Sequence, residues 1–340
     1  LVKSRQAANT LLVNAANRGY QLTEQSDLEG LDLIMLNFQR PDGISGIVAI
    51  REMKALEPSA TAGVEHFYSL QTASGKQGPM QYAKELLAWP DQGCVARMPI
   101  GIIDGAIDTA HAPLQGRNII VKDFTNGTAG AIKHGTAVAE ILVGPGQLQD
   151  ARLYSAFVVS GEYGGSGVHE IIRAIDWMVQ SNAKIVNFSM AGPYNMLLDQ
   201  AIQRAAEKGT VLVAAVGNDG PAAPPLYPAA LKEVIAVTAI DSSQNVYRRA
   251  VRGDHVDFAA PGVDIFVSDQ ASGRYESGTS LAVPHVTAMI ATDPANARST
   301  TAKAVRDRLA AESVDLGEMG RDPVFGLGLP RANASCRFDN

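Results

Sequence analysis

The sequence predicts an α/β fold, a parallel sheet with helices on both faces, preceded by a small α+β domain. Three observations carry this expectation. Runs 100–103, 185–188 and 211–215 are short and wholly apolar, as strands buried on both faces are. Helical stretches alternate with them, which is the pattern of a parallel sheet. Residues 1–71 follow another order, helix-strand-strand-helix-strand, and read as a unit of their own.

The helices are justified by spacing and by their ends. Stretch 168–181 sets Val168, Ile171, Ile172, Ile175, Met178 and Val179 on one core-facing stripe. Stretch 199–208 stops at Gly209, suited to the left-handed residue that closes a helix. Each precedes one of the apolar strands. In the first unit, 6–17 is helical and closed by Arg18-Gly19, while 20–24 and 31–38 read as strands. Arg40-Pro41-Asp42-Gly43 is a turn cluster. A second helix is expected over 44–56 and a last strand over 64–68. This order is one strand short of the β-α-β-β-α-β ferredoxin-like motif, and the missing first strand is expected upstream of Leu1. The chain opens on Leu1 rather than Met, so a targeting segment is expected to have been removed.

Composition sets the outer limits. With 340 residues, 46% of them apolar, the chain can bury a large core. A net charge of −6 and a pI near 5.6 argue against a nucleic-acid partner. No apolar stretch approaches the roughly 18 residues of a membrane span. Cys94 and Cys336 are either a disulfide tying the C-terminal tail to the start of the larger domain or two unrelated thiols; both readings stay open.

Four segments carry chemistry. Ser277-Gly278-Thr279-Ser280-Leu281-Ala282-Val283-Pro284-His285-Val286-Thr287 runs from a glycine into an apolar helix, with Pro284 expected in its first turn. Ser280 then lies at a helix N-terminus, where unpaired N–H groups favour developing negative charge. Asp104 ends the apolar run 100–103, and the carboxyl ends of parallel strands are where open α/β sheets place their chemistry. His134 opens a small-residue helix in His134-Gly135-Thr136-Ala137-Val138-Ala139. Asn218 tips the turn after the strand 211–215. Singly, each is an ordinary cap or turn residue. Together they suit acyl transfer. Ser280 needs a base, and His134 titrates nearest neutrality. Asp104 would fix the imidazole tautomer, and Asn218 with the Ser280 N–H would hold the oxyanion. The chain order Asp, His, Asn, Ser excludes the chymotrypsin and α/β-hydrolase orders.

Over residues 79–331 these four segments resemble the subtilisin-like serine peptidases. Relatives that use Glu and Asp in place of His are disfavoured by His134. One departure stands out. Gly105 and Ala106 follow Asp104, where the family has a hydroxyl residue and then Gly, so a hydroxyl that could order the carboxylate is missing.

The resemblance implies a serine endopeptidase acting on peptides or proteins, with a catalytic domain over 72–331 and a tail over 332–340. It implies that residues 1–71 are a propeptide-like domain that assists folding and inhibits its own enzyme. The last strand of that domain would lie along the substrate cleft, and the chain, made as a zymogen, would be cut between Leu70 and Ala73. Substrate contacts are expected at Gly165, Ser166 and Gly167 (after Gly164), at Ser189, Met190, Ala191 and Gly192, and at Ala214, Ala215 and Gly217. Leu226 reads equally as pocket floor and as core. No cofactor or metal ligand is expected. Calcium is common in the family, but the segment 144–150 carries a single acid. His111 and His285 read as structural. An extracytoplasmic location, periplasmic or secreted, follows from the resemblance. The competing class is a catalytically silent fold used as a binding module, against which stand all four reactive residues.

Overall fold

In the computed structural model of the chain, residues 1–70, 73–74, 82–125, 127, 130–160, 165–268, 273–298, 301–332 and 336 are described. Seven strands form one sheet in the spatial order Phe258–Pro261, Val234–Ile240, Val211–Ala215, Ile185–Phe188, Ile100–Asp104, Arg152–Phe157 and Asn118–Asp123. Every neighbouring pair is parallel. The apolar runs fall in the middle of this sheet, where both faces are covered and each residue is buried. Helices Ile132–Val143 and Thr279–Thr292 pack side by side, as do Val168–Gln180 and Met196–Glu207, one pair to each face. After Ile100–Asp104 the chain goes to the edge strand Asn118–Asp123, comes back inward to Arg152–Phe157, and then crosses to build on the other side. Asp104 therefore ends the strand at the topological switch point, where crevices form in such sheets.

One local expectation is corrected. The nucleophile-segment helix begins at Thr279, so Pro284 lies in its second turn and not its first. Lacking an N–H, Pro284 cannot donate to the Ser280 carbonyl, and the helix gives up that bond. Gly278 is extended, with φ 172°, so backbone strain is not what places a glycine there.

The N-terminal unit is a hairpin with two helices. Gln21–Leu28 pairs antiparallel with Leu33–Gln39, with a bulge at Leu22/Glu24. Helix Arg5–Ala16 is capped by Ser4 and helix Gly46–Leu56 by Ser45, each hydroxyl accepting from the first turn. Val2, Leu11, Tyr20, Ile34 and Met53 form a small core of their own. Leu28, Leu31, Leu33 and Met35 belong instead to the large core of the sheet domain. The junction is also polar: Leu31 donates its N–H to Asp176 Oδ1 at 3.1 Å, Arg173 pairs with Glu24 at 3.2 Å, and Lys208 pairs with Asp32.

The last strand of this unit forms over Phe67–Leu70, not 64–68, and pairs with neither strand of the hairpin. It lies between two short edges of the sheet domain, antiparallel to both. Ser69 stands opposite Gly165, Tyr68 opposite Ser166 and Phe67 opposite Gly167. On its other side Leu70 stands opposite Met190 and Ser69 opposite Ala191.

Of the two readings left open for the cysteines, the disulfide is the one found. Cys94 and Cys336 are bonded, with their Cα atoms 5.0 Å apart. Among the described residues no helix is long and apolar enough to cross a membrane.

Candidate active site

Asp104, His134 and Ser280, far apart in sequence, meet at the carboxyl end of the central strands. His134 Nδ1 lies 2.6 Å from Asp104 Oδ1, and His134 Nε2 lies 3.0 Å from Ser280 Oγ. All three side chains are buried. Two glycines allow the approach. A Cβ on Gly135 would stand 2.4 Å from the Ala106 carbonyl oxygen, and one on Gly105 would stand 2.6 Å from that of Ala131. The helix bearing His134 thus sits directly on the backbone that follows Asp104.

The missing hydroxyl after Asp104 has a visible counterpart. Oδ1 accepts from both His134 and the Gly105 N–H at 2.6 Å, while the buried Oδ2 has no hydrogen-bond partner among the described residues. Burial pushes the His134 pKa down. The Asp104 charge and hydrogen bond, with Glu276 beyond, outweigh this and hold it above its ordinary value. His285 has no such partner, and burial alone lowers it to about 4, as suits a neutral core side chain.

Asn218 is oriented by a residue to which the sequence reading gave no role. Thr279 donates to Asn218 Oδ1 through its backbone N–H at 3.2 Å and its hydroxyl at 3.0 Å. With the carbonyl end so held, the amide's Nδ2 is its donor end. Thr279 Oγ1 also accepts from the Gly217 N–H at 3.3 Å, tying the strand end 211–217 to the helix that carries Ser280. The signal was present in the sequence, since Thr279 lies inside the Gly-Thr-Ser run.

The expected substrate-contact residues divide into two groups. Gly165–Gly167 and Met190–Ala191 flank the strand Phe67–Leu70. Ser189 accepts from Asn187 Nδ2 at 2.8 Å and is wholly buried, as are Ala214 and Ala215. Leu226 is half-buried against Gly217, where a Cβ would meet it at 2.4 Å. Gly192 is bridged to Tyr227, and Tyr68 fills the space above it. Gly164, Gln71 and Thr72, the last two in the expected cut region, lie outside the described residues.

At the 144–150 turn Asp150 is the single carboxylate, against the roughly six to eight oxygens that calcium takes. Among the described residues the one group of three metal-capable side chains is Glu65, His169 and Glu170. Sequence reasoning missed this group because Glu65 reaches it from the other unit.

Comparison with known proteins gives the family. The sequence profile of the subtilase family, Peptidase_S8, matches residues 97–328. The minor extracellular protease Epr of Bacillus subtilis is 36% identical over 214 residues, 60% of this chain and 33% of that one. Subtilisin DY of Bacillus licheniformis is 31% identical over 259 residues, 71% of this chain and 92% of its own length. The chain thus spans a third of Epr and nearly all of subtilisin DY. Among solved structures, fervidolysin of Fervidobacterium pennivorans, described as a keratinolytic enzyme related to subtilisin, superposes with a TM-score of 0.77. At 20% identity that match covers 98% of this chain and 60% of the other, and shows a shared fold. The chain belongs to the subtilase family, the subtilisin-like serine endopeptidases.

Proposed function

We propose that this chain is an endopeptidase using Asp104, His134 and Ser280 as its triad, made as a zymogen whose residues 1–71 inhibit it until they are cut away. The observation that carries the reading is the continuous line from Asp104 Oδ1 through the imidazole to Ser280 Oγ, with links of 2.6 and 3.0 Å. Ser280 Oγ attacks the scissile carbonyl carbon as its proton passes to His134 Nε2. Asp104 keeps Nδ1 protonated and stabilises the imidazolium. The oxyanion is received by Asn218 Nδ2 and the Ser280 N–H. His134 then gives its proton to the leaving amine, the C–N bond breaks, and an ester to Ser280 remains. Water, deprotonated by His134, attacks the ester and restores the serine.

The inhibitory role is supported by the strand Phe67–Leu70. A peptide held between two edges by backbone pairing is how an extended substrate is gripped, with alternate side chains entering pockets. Its direction brings the chain toward the region between Leu70 and Ala73, where we place the single self-cut. The disulfide fits an oxidising, extracytoplasmic compartment. The test compares wild type with Ser280→Ala by peptide hydrolysis and N-terminal sequencing. Wild type should yield one new N-terminus between Leu70 and Ala73, and the variant should stay uncut and inactive. Hydrolysis retained by the variant would remove the mechanism, and a cut persisting in it would assign processing to another protease.

A further inference from the structure

The end of the cleft beyond Tyr68 holds a charged arrangement with no part in the triad. Glu65 lies three residues before Tyr68, and its carboxylate meets His169 twice. Oε1 accepts from the His169 backbone N–H at 3.2 Å, and Oε2 lies 3.2 Å from the ring Nδ1. Glu170 Oε1 takes the other ring nitrogen, Nε2, at 3.0 Å. His169 is the second residue of helix Val168–Gln180, so its N–H is among the first-turn donors that the helix itself leaves unpaired. Gly167 makes the room: a Cβ there would stand 2.3 Å from Glu65 Oε1 and 2.6 Å from Glu170 Oε2. Glu170 and Glu65 together hold the imidazole in its cationic form, with its pKa raised to about 10.

We propose that His169 is a specificity-determining residue that selects an acidic side chain three positions before the residue filling the Gly192 pocket, so that favoured substrates read acidic-x-x-aromatic ahead of the scissile bond. This rests on the reading above that Phe67–Leu70 lies as a substrate does. A carboxylate at this position gains an N–H donor and a cation together. An amide keeps only the N–H contact, and an ammonium meets like charge. Glu170 alone would repel an acid; with the imidazole between them, the second carboxylate is bridged instead. Glu65 is 40% exposed, so the gain is that of a partly solvated pair, worth about a threefold to fivefold preference.

The test uses active enzyme released from the full chain and fluorescence-quenched peptides copying residues 64–74. Three peptide variants carry the changes equivalent to Glu65→Gln, Glu65→Lys and Tyr68→Ala. The glutamine peptide should lose about threefold to fivefold in kcat/KM, mainly through KM, and the lysine peptide more. The difference should shrink in about 1 M salt, where charges are screened within roughly 3 Å. In His169→Gln the Glu-to-Gln ratio should collapse toward one. A ratio of one in wild type, or one that persists in His169→Gln, overturns the proposal. If the tyrosine peptide's advantage over its alanine variant survives that failure, the substrate-like reading of the strand stands while the role of His169 falls. If neither change matters, the substrate-like reading falls as well.

Discussion

The Tyr68 hydroxyl donates a 2.9 Å hydrogen bond to the carbonyl oxygen of Pro193, and its ring lies over Gly192, where a Cβ would stand 2.6 Å from a ring carbon. Strand alternation explains why this residue is the plug. Phe67 is 76% exposed and Tyr68 wholly buried, so successive side chains point to solvent and into the sheet domain. The phenol finds the polar partner that a buried tyrosine needs.

Tyr68→Ala should therefore loosen the N-terminal unit without touching the triad. Losing a buried aromatic side chain costs about 3 kcal/mol, roughly a hundredfold in affinity. Activity should appear faster from the variant zymogen on dilution. Gly192→Ala should act in the same direction, because the ring would have to leave. A Tyr68→Ala zymogen that activates at the wild-type rate would show that this pocket does not hold the unit.

Asn218→Ala should reduce kcat by about 10²- to 10³-fold with little change in KM, as expected for a donor that acts on the transition state. Thr279→Val should lower kcat less, since it frees the amide rather than removing it. Steady-state kinetics on a small ester or amide substrate reads both. A loss confined to KM would place Asn218 in ground-state binding.

The junction also sets a pH dependence. His169 is raised from 6.5 to about 10, first by its bond to Glu170 and then by Glu65. A raised pKa means that folding favours the protonated form. Its stabilisation is complete below about pH 6.5 and is lost as pH rises toward 10. Melting temperature should accordingly fall across that window more steeply in wild type than in His169→Gln. Parallel curves would show that His169 adds no pH-linked stability.

The parts of this molecule legible in the sequence are those set by local rules. Ile185–Phe188 and Val211–Ala215 were readable because a continuous apolar run admits few other structures. Helix Val168–Gln180 followed from its stripe, and Gly209, at φ +81°, closes its helix as expected. Asp104, His134, Asn218 and Ser280 stood out because each lies at the end of such an element. Contacts between distant segments were not legible. Nothing around Glu65 points to His169, 104 residues away. That the last strand would leave its own hairpin came only from the resemblance, and its bounds, expected at 64–68, were missed because Phe67–Leu70 is set by partners about a hundred residues downstream. Pro284 was misplaced by a turn because the helix starts at Thr279, where no side-chain cap marks the start.

Cys336→Ala should lower the stability of the sheet domain by about 2–5 kcal/mol, since the bond closes a long loop. Thermal melts with and without reductant check this: wild type should shift on reduction and the variant should not. Equal melting temperatures in all four samples would mean that the tail adds nothing to stability.

The central claim is that Ser280 is activated by His134 and Asp104. Labelling the processed enzyme with a fluorophosphonate, followed by mass mapping of the adduct, tests it most directly, because the reagent needs an activated hydroxyl. The account predicts one adduct, on Ser280, absent from Ser280→Ala and nearly absent from His134→Ala, both variants first freed of residues 1–71 by wild-type enzyme because neither cuts itself. An adduct on another residue, or undiminished labelling of Ser280 in His134→Ala, would contradict it.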